Sequence, residues 1–312
     1  MSPKNLQKII IDTDAGHDDV LAMLLLIKSN LFDIQAITTV AGNSTIDKAT
    51  RNTRFTTKLV QHEEIPVFSG SAKPLKRKLV TAKVHGKSGL DGAQVEDIKY
   101  RLTNNAYKKI IEIVKQNPNK VTILTLGPLT NVARALKEAP EIDTLVKEII
   151  IMGGAINIPG NQNRVAEFNI SVDPDAADIV FRSKIKKILV PIDICEDMLV
   201  HMSDFNKMKS SVLYEPIAHM MESFLKGIKQ SLKVNGLLIY DAVAAYYLID
   251  KKSFSVTNMD IVVETKGEHT YGMTVVDKRT YSEKQNNVGV TLRVNKNQFK
   301  KDFFRILRQE NA

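Results

Sequence analysis

Short apolar runs alternate with longer stretches of helical spacing along this chain. That alternation predicts an α/β protein with a mostly parallel central sheet flanked by helices. Strands are expected at Lys8–Asp12, Asp33–Val40, Val121–Leu126, Glu148–Met152 and Lys187–Pro191. Helices are expected behind them at Asp18–Ser29, Thr45–Val60, Leu129–Lys137 and Asp173–Phe181, with others at Asn104–Lys115, Glu215–Leu232, Asp241–Ile249 and Lys296–Arg308. The first helix reads Val20-Leu21-Ala22-Met23-Leu24-Leu25-Leu26-Ile27, apolar all round, so it should be buried rather than amphipathic. Tyr271–Asp277 and Val288–Val294 have period-two character and read as a late antiparallel or edge element. No linker or internal repeat divides the 312 residues, so the simplest parse is a single domain, 1–312.

Composition narrows the class without naming a function. A chain 43% hydrophobic and 25% charged is an ordinary globular protein. Cys195 is the sole cysteine; it excludes an intrachain disulfide and reads as a small buried residue. The N-terminus lacks the apolar core of a signal peptide, and no run reaches the ~18 apolar residues of a membrane span, so the cytoplasm is the expected location and no membrane partner is expected. The net charge of +9 raises the question of nucleic acid. Lys73, Lys76, Arg77, Lys78, Lys83 and Lys87 crowd the acid-free stretch Ile65–Leu90, but it lacks the interleaved aromatics that base stacking requires. No nucleic-acid partner is expected.

The chemistry concentrates at the end of the first strand. Asp12-Thr13-Asp14-Ala15-Gly16-His17-Asp18-Asp19 places four carboxylates where a strand gives way to a helix. Carboxylates this close repel, and burying them is costly unless a cation neutralises them; a hard divalent ion with oxygen ligands is the natural partner. Capping of the helix by Asp18 is the plainer explanation, but a cap needs one acid, not four. Thr38–Asn43, Leu126–Asn131 and Met152-Gly153-Gly154 also follow apolar runs, and in open α/β sheets ligands bind at the carboxyl ends of strands. Asn43 and Met152 thereby become candidates for the same rim. Glu167 and Asn169 lie two apart before a strand-like Ile170-Ser171-Val172, which would put both on one side. Alone, either could be a turn former.

Taken together, these segments resemble the inosine–uridine-preferring nucleoside hydrolases. Asp12–Asp19 is similar to that family's N-terminal signature, usually written with proline at the position of Ala15. Val84–Gly92 resembles its His-Gly loop, while Leu126–Asn131 and Met152–Gly154 resemble its next landmarks. Ala166-Glu167-Phe168-Asn169 with Val172-Asp173-Pro174 matches its sugar-binding segment, and Tyr240-Asp241-Ala242 stands at its last metal-binding aspartate. The matches run in order from residue 9 to about 245. The resemblance implies the Rossmann-like nucleoside hydrolase fold and Ca²⁺-dependent hydrolysis of ribonucleosides to base and ribose. It implies that Asp14 binds the ion and serves as general base, with Asp19, Asp241 and the carbonyl of Leu126 completing the ligation. Asp18, Asn161, Glu167 and Asn169 would hold the ribose, and Asp12 would orient the loop from behind. A homodimer or homotetramer is implied as well.

One departure bears on the leaving base. Many relatives carry histidine before the last metal aspartate, where this chain has Tyr240. A phenol titrates near ~10 and is a weaker acid than imidazolium. Either Tyr240 donates the proton, or His85 does, or the base leaves unaided; as plainer alternatives, Tyr240 packs beside the base and His85 is an exposed loop histidine. His17 is expected to be structural or at the substrate rim, since Ca²⁺ prefers oxygen. Ala15 for proline should loosen the turn slightly. Two rival functions stand beside this reading: a haloacid-dehalogenase-type phosphatase using Asp12 in Asp-x-Asp as nucleophile, and a non-catalytic nucleoside- or ribose-binding protein.

Overall fold

The computed structural model describes residues 6–95, 98, 100–195 and 198–309; the side chain of Cys195, and with it the expected burial, lies outside the described residues. The strands are β1 (Gln7–Thr13), β2 (Phe32–Thr39), β3 (Val67–Ser69), β4 (Val121–Thr125), β5 (Glu148–Met152), β6 (Lys187–Val190), β7 (Phe254–Met259), β8 (Ile261–Val263), β9 (Thr274–Val276) and β10 (Val288–Val294). The helices are α1 (His17–Ser29), α2 (Ile46–Leu59), α3 (Ala106–Gln116), α4 (Thr130–Glu138), α5 (Phe168–Val172), α6 (Pro174–Arg182), α7 (Tyr214–Leu232), α8 (Tyr240–Ile249) and α9 (Lys296–Arg308).

Eight strands form one sheet in the order β3-β2-β1-β4-β5-β6-β10-β7. Every neighbouring pair is parallel except β10 with β7. Strands β4 and β5, and β1 from Ile9 onward, are the apolar runs of the sequence, closed to solvent because helices cover both faces. One core cluster joins α1, α7, α8 and α9 to one face, and a second joins α3, α4 and α6 to the other. The α/β expectation is borne out.

Three details differ from the sequence reading. Tyr271–Asp277 yields only β9, because Tyr271 and Gly272 form a turn with Gly272 at φ +81°, and β9 pairs with β8 outside the main sheet. Val288–Val294 makes the expected antiparallel pair, with β7, but lies one strand in from the edge and runs parallel to β6; the edge itself is β7, mostly exposed from Ser255 to Asn258. The strand-like Ile170-Ser171-Val172 belongs to helix α5, because the carboxylate of Glu167 caps it by accepting from the amides of Asn169 and Ile170.

The pairing of α1 with α8 positions the chemistry. These two helices pack on each other and are almost wholly buried. Their first turns carry Asp18 and Asp19 on one and Asp241 on the other, so packing of apolar faces brings acids from opposite ends of the sequence to one point. Each helix N-terminus favours that negative charge.

Candidate active site

Asp18, Asp19 and Asp241 converge: each offers a carboxylate oxygen, and these oxygens all lie within 4.8 Å of one another. All three side chains are buried. Asp14 adjoins the group, in contact with Asp19. Its carboxylate is held from one side by Asn43, whose amide donates to Oδ2 at 2.6 Å and whose Nδ2 donates to Oδ1 at 3.0 Å. The same Nδ2 donates to Asp19 Oδ2 at 3.1 Å. Asp19 also accepts from the Thr13 hydroxyl at 2.5 Å and from the Gly16 amide at 2.8 Å. Two glycines leave Asp14 its room: a Cβ on Gly42 would fall 2.1 Å from Oδ2, and one on Gly127 would fall 3.0 Å from Oδ1.

Electrostatics follow from this crowding. Burial, reinforced by the charge of Asp19, pushes Asp14 well above the usual carboxylate range and Asp18 up to about 8. Burial and the charges of Asp18, Asp19 and Asp14 raise Asp241 as well. No Lys or Arg partner offsets these shifts among the causes that set them. An all-oxygen cage of mutually repelling buried acids is the donor set a hard divalent cation satisfies.

Asp12 lies underneath, fully buried. Its Oδ1 accepts from Thr38 Oγ1 at 2.5 Å and Asn131 Nδ2 at 2.8 Å, while Oδ2 has no hydrogen-bond partner. Burial lifts its pKa to about 7. Asp12 therefore ties β1 to β2 and α4 and does not line the cavity.

Above the acids opens a cavity of about 440 Å³, within the range of small-molecule sites. One half is polar, lined by Asp18, Asn43, Asn161, Glu167, Asn169 and Asp241. Asn169 Nδ2 donates to the carbonyl of Leu126 at 2.7 Å, with Met152 O and Sδ at 3.3 and 3.2 Å, so the expected carbonyl, Met152 and this asparagine are packed together. Both oxygens of Glu167 are already occupied by backbone amides: Oε1 by Asn169, Oε2 by Gly154 and Ile170. Glu167 thus builds the wall as well as lining it. Asn161 Oδ1 accepts from the amide of Phe168 at 2.9 Å.

The other half is mainly apolar: Val80 and Val84 from the loop after β3, Phe224 and Ile228 from α7, and Leu238 beside Tyr240. Of these, the sequence singles out only Val84, within the His-Gly loop. Phe224 and Ile228 were visible as one face of a helix, but that spacing is the same for core packing. Tyr240 and His85 both line this half. His85 is not an exposed loop histidine; only 4% of its surface is accessible. Its ring lies parallel to those of His17 and Phe224 at 5.3 and 5.2 Å, and its Nδ1 is 3.0 Å from His17 Nδ1. His17 stands behind it, donating from Nε2 to the carbonyl of Asp91 at 2.9 Å. Burial holds His17 down at about 4 and His85 well below the ordinary histidine value. Ala15 sits at φ +48°, a conformation closed to proline.

A parallel-sheet protein with a buried acid cage at the carboxyl ends of its strands, opening into a half-polar, half-apolar cavity, is an enzyme shaped for a sugar-containing ligand beside a cation. The chain belongs to the inosine-uridine preferring nucleoside hydrolase family, whose model matches residues 9–301. It is 36% identical to the pyrimidine-specific ribonucleoside hydrolase RihA of Salmonella arizonae over 93% of this chain and 95% of that protein. A plant nucleoside hydrolase, PpNRh1, superposes with a TM-score of 0.89 at 28% identity, covering 97% of this chain and 99% of its own. A purine-preferring ribonucleoside hydrolase from Gardnerella vaginalis gives 0.90 at 27% identity, over 97% and 98%. The chain is a ribonucleoside hydrolase, of a family that depends on a metal.

Proposed function

We propose that the chain hydrolyses the N-glycosidic bond of ribonucleosides with Ca²⁺ as its ion, pyrimidine ribonucleosides being the preferred substrates. The observation that carries this reading is the convergence of Asp18, Asp19 and Asp241, of which Asp18 and Asp241 line the cavity. The pyrimidine preference draws on the relatives at 35–36% identity, which are named pyrimidine-specific. Asp14, Asp19, Asp241 and the carbonyl of Leu126 would hold the ion, with Asp18 beside them facing the sugar. Bound there, Ca²⁺ would grip the vicinal hydroxyls of ribose and acidify water next to the sugar.

The residues of the chain do the rest. Asp14 accepts the proton of the attacking water, and Asn43 keeps its carboxylate aimed. The sugar passes through an oxocarbenium-like state, as in glycosidases, and the negative cage stabilises its growing positive charge. Asp18, Asn161 and Asn169 hydrogen-bond the ribose hydroxyls, so a deoxyribose leaves buried partners unpaired and is rejected. The apolar half receives the base, where the Tyr240 hydroxyl or the His85 ring meets the departing nitrogen or oxygen. Lys83, on the base-side loop, is the one Lys or Arg among the lining residues, while acids line the sugar side, which favours a nucleoside over a nucleotide.

Asp12 is poorly placed as a phosphatase nucleophile: its Oδ1 is taken up by Thr38 and Asn131, which tie it to β2 and α4 beneath the acid cluster. A pure binder has no use for Asp14 poised beside the cage. The proposal extends to a cytoplasmic homodimer or homotetramer; among the described residues no helix is long and apolar enough to cross a membrane. A panel of purine and pyrimidine ribonucleosides, with and without chelator, scored for free ribose, tests the reading. Ribose release that survives complete chelation would reject the ion's role, and release of phosphate from nucleotides instead would reject the reaction.

A further inference from the structure

The basic stretch Ile65–Leu90 has so far supplied only one wall of the cavity, yet one of its residues joins two walls. We propose that Arg77 is a positioning residue, holding the base-side loop Lys78–Val84 against the turn Thr265–Gly272 that also supports the sugar-side loop Ile156–Ala166. The inference rests on the nucleoside reading above for its kinetic consequences and on geometry alone for its structural ones.

Arg77 Nη2 donates to the carbonyl of Thr265 at 2.6 Å, and the guanidinium carbon lies 4.8 Å from the centre of the Tyr271 ring. Asp175 Oδ2 stands 3.8 Å from Nε, and the neighbouring Lys76 pairs with Asp175 Oδ1 at 2.7 Å. The segment beyond has no such support: among the described residues, Lys78 to Ala82 make no hydrogen bond. It is fixed again at Val84, whose carbonyl packs so closely on α7 that a Cβ at Gly227 would fall 2.1 Å away. Between these anchors, Val80 leaves 52% of its surface accessible while lining the cavity. A loop pinned only at its ends takes its position from the pins.

The far side of the same turn reaches the sugar. The Tyr271 carbonyl accepts from Asn163 Nδ2 at 3.3 Å. Gly272, at φ +81°, lies so close to α5 that a Cβ there would fall 2.8 Å from Ser171 Cα. Thr274 Oγ1 donates to Ala155 O at 2.7 Å, at the start of the sugar-side loop. Tyr271 therefore receives Arg77 on its ring and the sugar-side loop on its backbone. A charge-assisted hydrogen bond with a cation–π contact is strong enough to hold an otherwise free loop.

The test compares Arg77→Met, Arg77→Lys and Tyr271→Leu in the full chain, all outside the reacting groups. Contacts from the base-side loop act on bound substrate and transition state alike, so their loss raises KM with kcat unchanged. Arg77→Met is expected to raise KM for the best ribonucleoside by about tenfold with kcat within about twofold of the parent. Arg77→Lys keeps one donor and the charge and recovers part of the loss. Trypsin cleavage after Lys83, read without any substrate, should speed up in Arg77→Met and Tyr271→Leu. A fall in kcat at constant KM would overturn the assignment, as would unchanged cleavage after Lys83 in both variants. Should no ribonucleoside be turned over, the functional reading fails, and the cleavage rates still decide the role of Arg77.

Discussion

Replacing Gly42 by alanine tests the placement of Asp14 by the smallest possible insertion. The new methyl would lie 2.1 Å from Asp14 Oδ2, 2.9 Å from its Cγ and 2.7 Å from Pro128 Cδ. Non-bonded carbon contacts settle at about 3.5–4.0 Å, so the carboxylate must retreat by roughly 1 Å or more. Retreat is obstructed, because Gly127 backs the other oxygen and Asn43 grips both through its amide and Nδ2. Gly42 is not among the glycines at positive φ, so the effect is steric rather than conformational. Overpacking of this kind costs about 1–3 kcal/mol of stability, small enough for a large enzyme to remain folded. A catalytic group displaced by about 1 Å can lose ~100-fold in rate. The expectation is therefore a folded protein, by calorimetry and circular dichroism, whose kcat/KM for ribose release drops about 100-fold. Activity within about threefold of the parent, with Asp14 still essential, would refute the claim that its present position is the reactive one.

Other outcomes follow from the same geometry. Asp14→Asn keeps the size of the side chain but can accept only one of the two Asn43 hydrogen bonds and cannot take a proton, so turnover should vanish while the protein stays folded; near-parental activity would remove Asp14 as the base. Tyr240→Phe should slow natural nucleosides by about 10- to 100-fold and leave a nitrophenyl riboside nearly unaffected, since its leaving group needs no proton; equal slowing of both would argue against a proton-donating phenol. Asp12 and Asp18, raised to about 7 and about 8, favour the folded chain below their ordinary range, and this contribution is lost as pH rises through those values. Chelated protein should accordingly gain more in melting temperature from Ca²⁺ at about pH 8 than at about pH 5, and equal gains would contradict the charge-repulsion account.

Much of this was legible in the sequence because strong signals coincide. The β1 run ends in acids, so strand, turn and chemistry announce one another, and α1 is apolar enough that its burial follows from its letters alone. Asp241 is another matter. Nothing local in Tyr240-Asp241-Ala242 says that it meets Asp19; that comes from α1 packing on α8, a tertiary fact the family resemblance supplied. The same limit hid Phe224 and Ile228, whose helical spacing suits a core as well as a cavity. His85 misled in its plainer reading because a glycine-bordered histidine looks exposed, whereas stacking with His17 and Phe224 buries it. Glu167 is expected from the resemblance to hold the ribose, but its geometry is that of a cap: the amides of α5 and Gly154 take both oxygens, and that is why the residues after it coil into a helix rather than extend.

The central claim is that acids from two distant segments share one ion. Titration calorimetry of Ca²⁺ into chelator-stripped protein, beside the Asp241→Asn variant, addresses it directly. The account predicts one site per chain in the parent and loss of that site in the variant, although Asp241 is 241 − 19 = 222 positions from Asp19. Undiminished Ca²⁺ binding by a folded Asp241→Asn protein, or no binding by the parent, would contradict it.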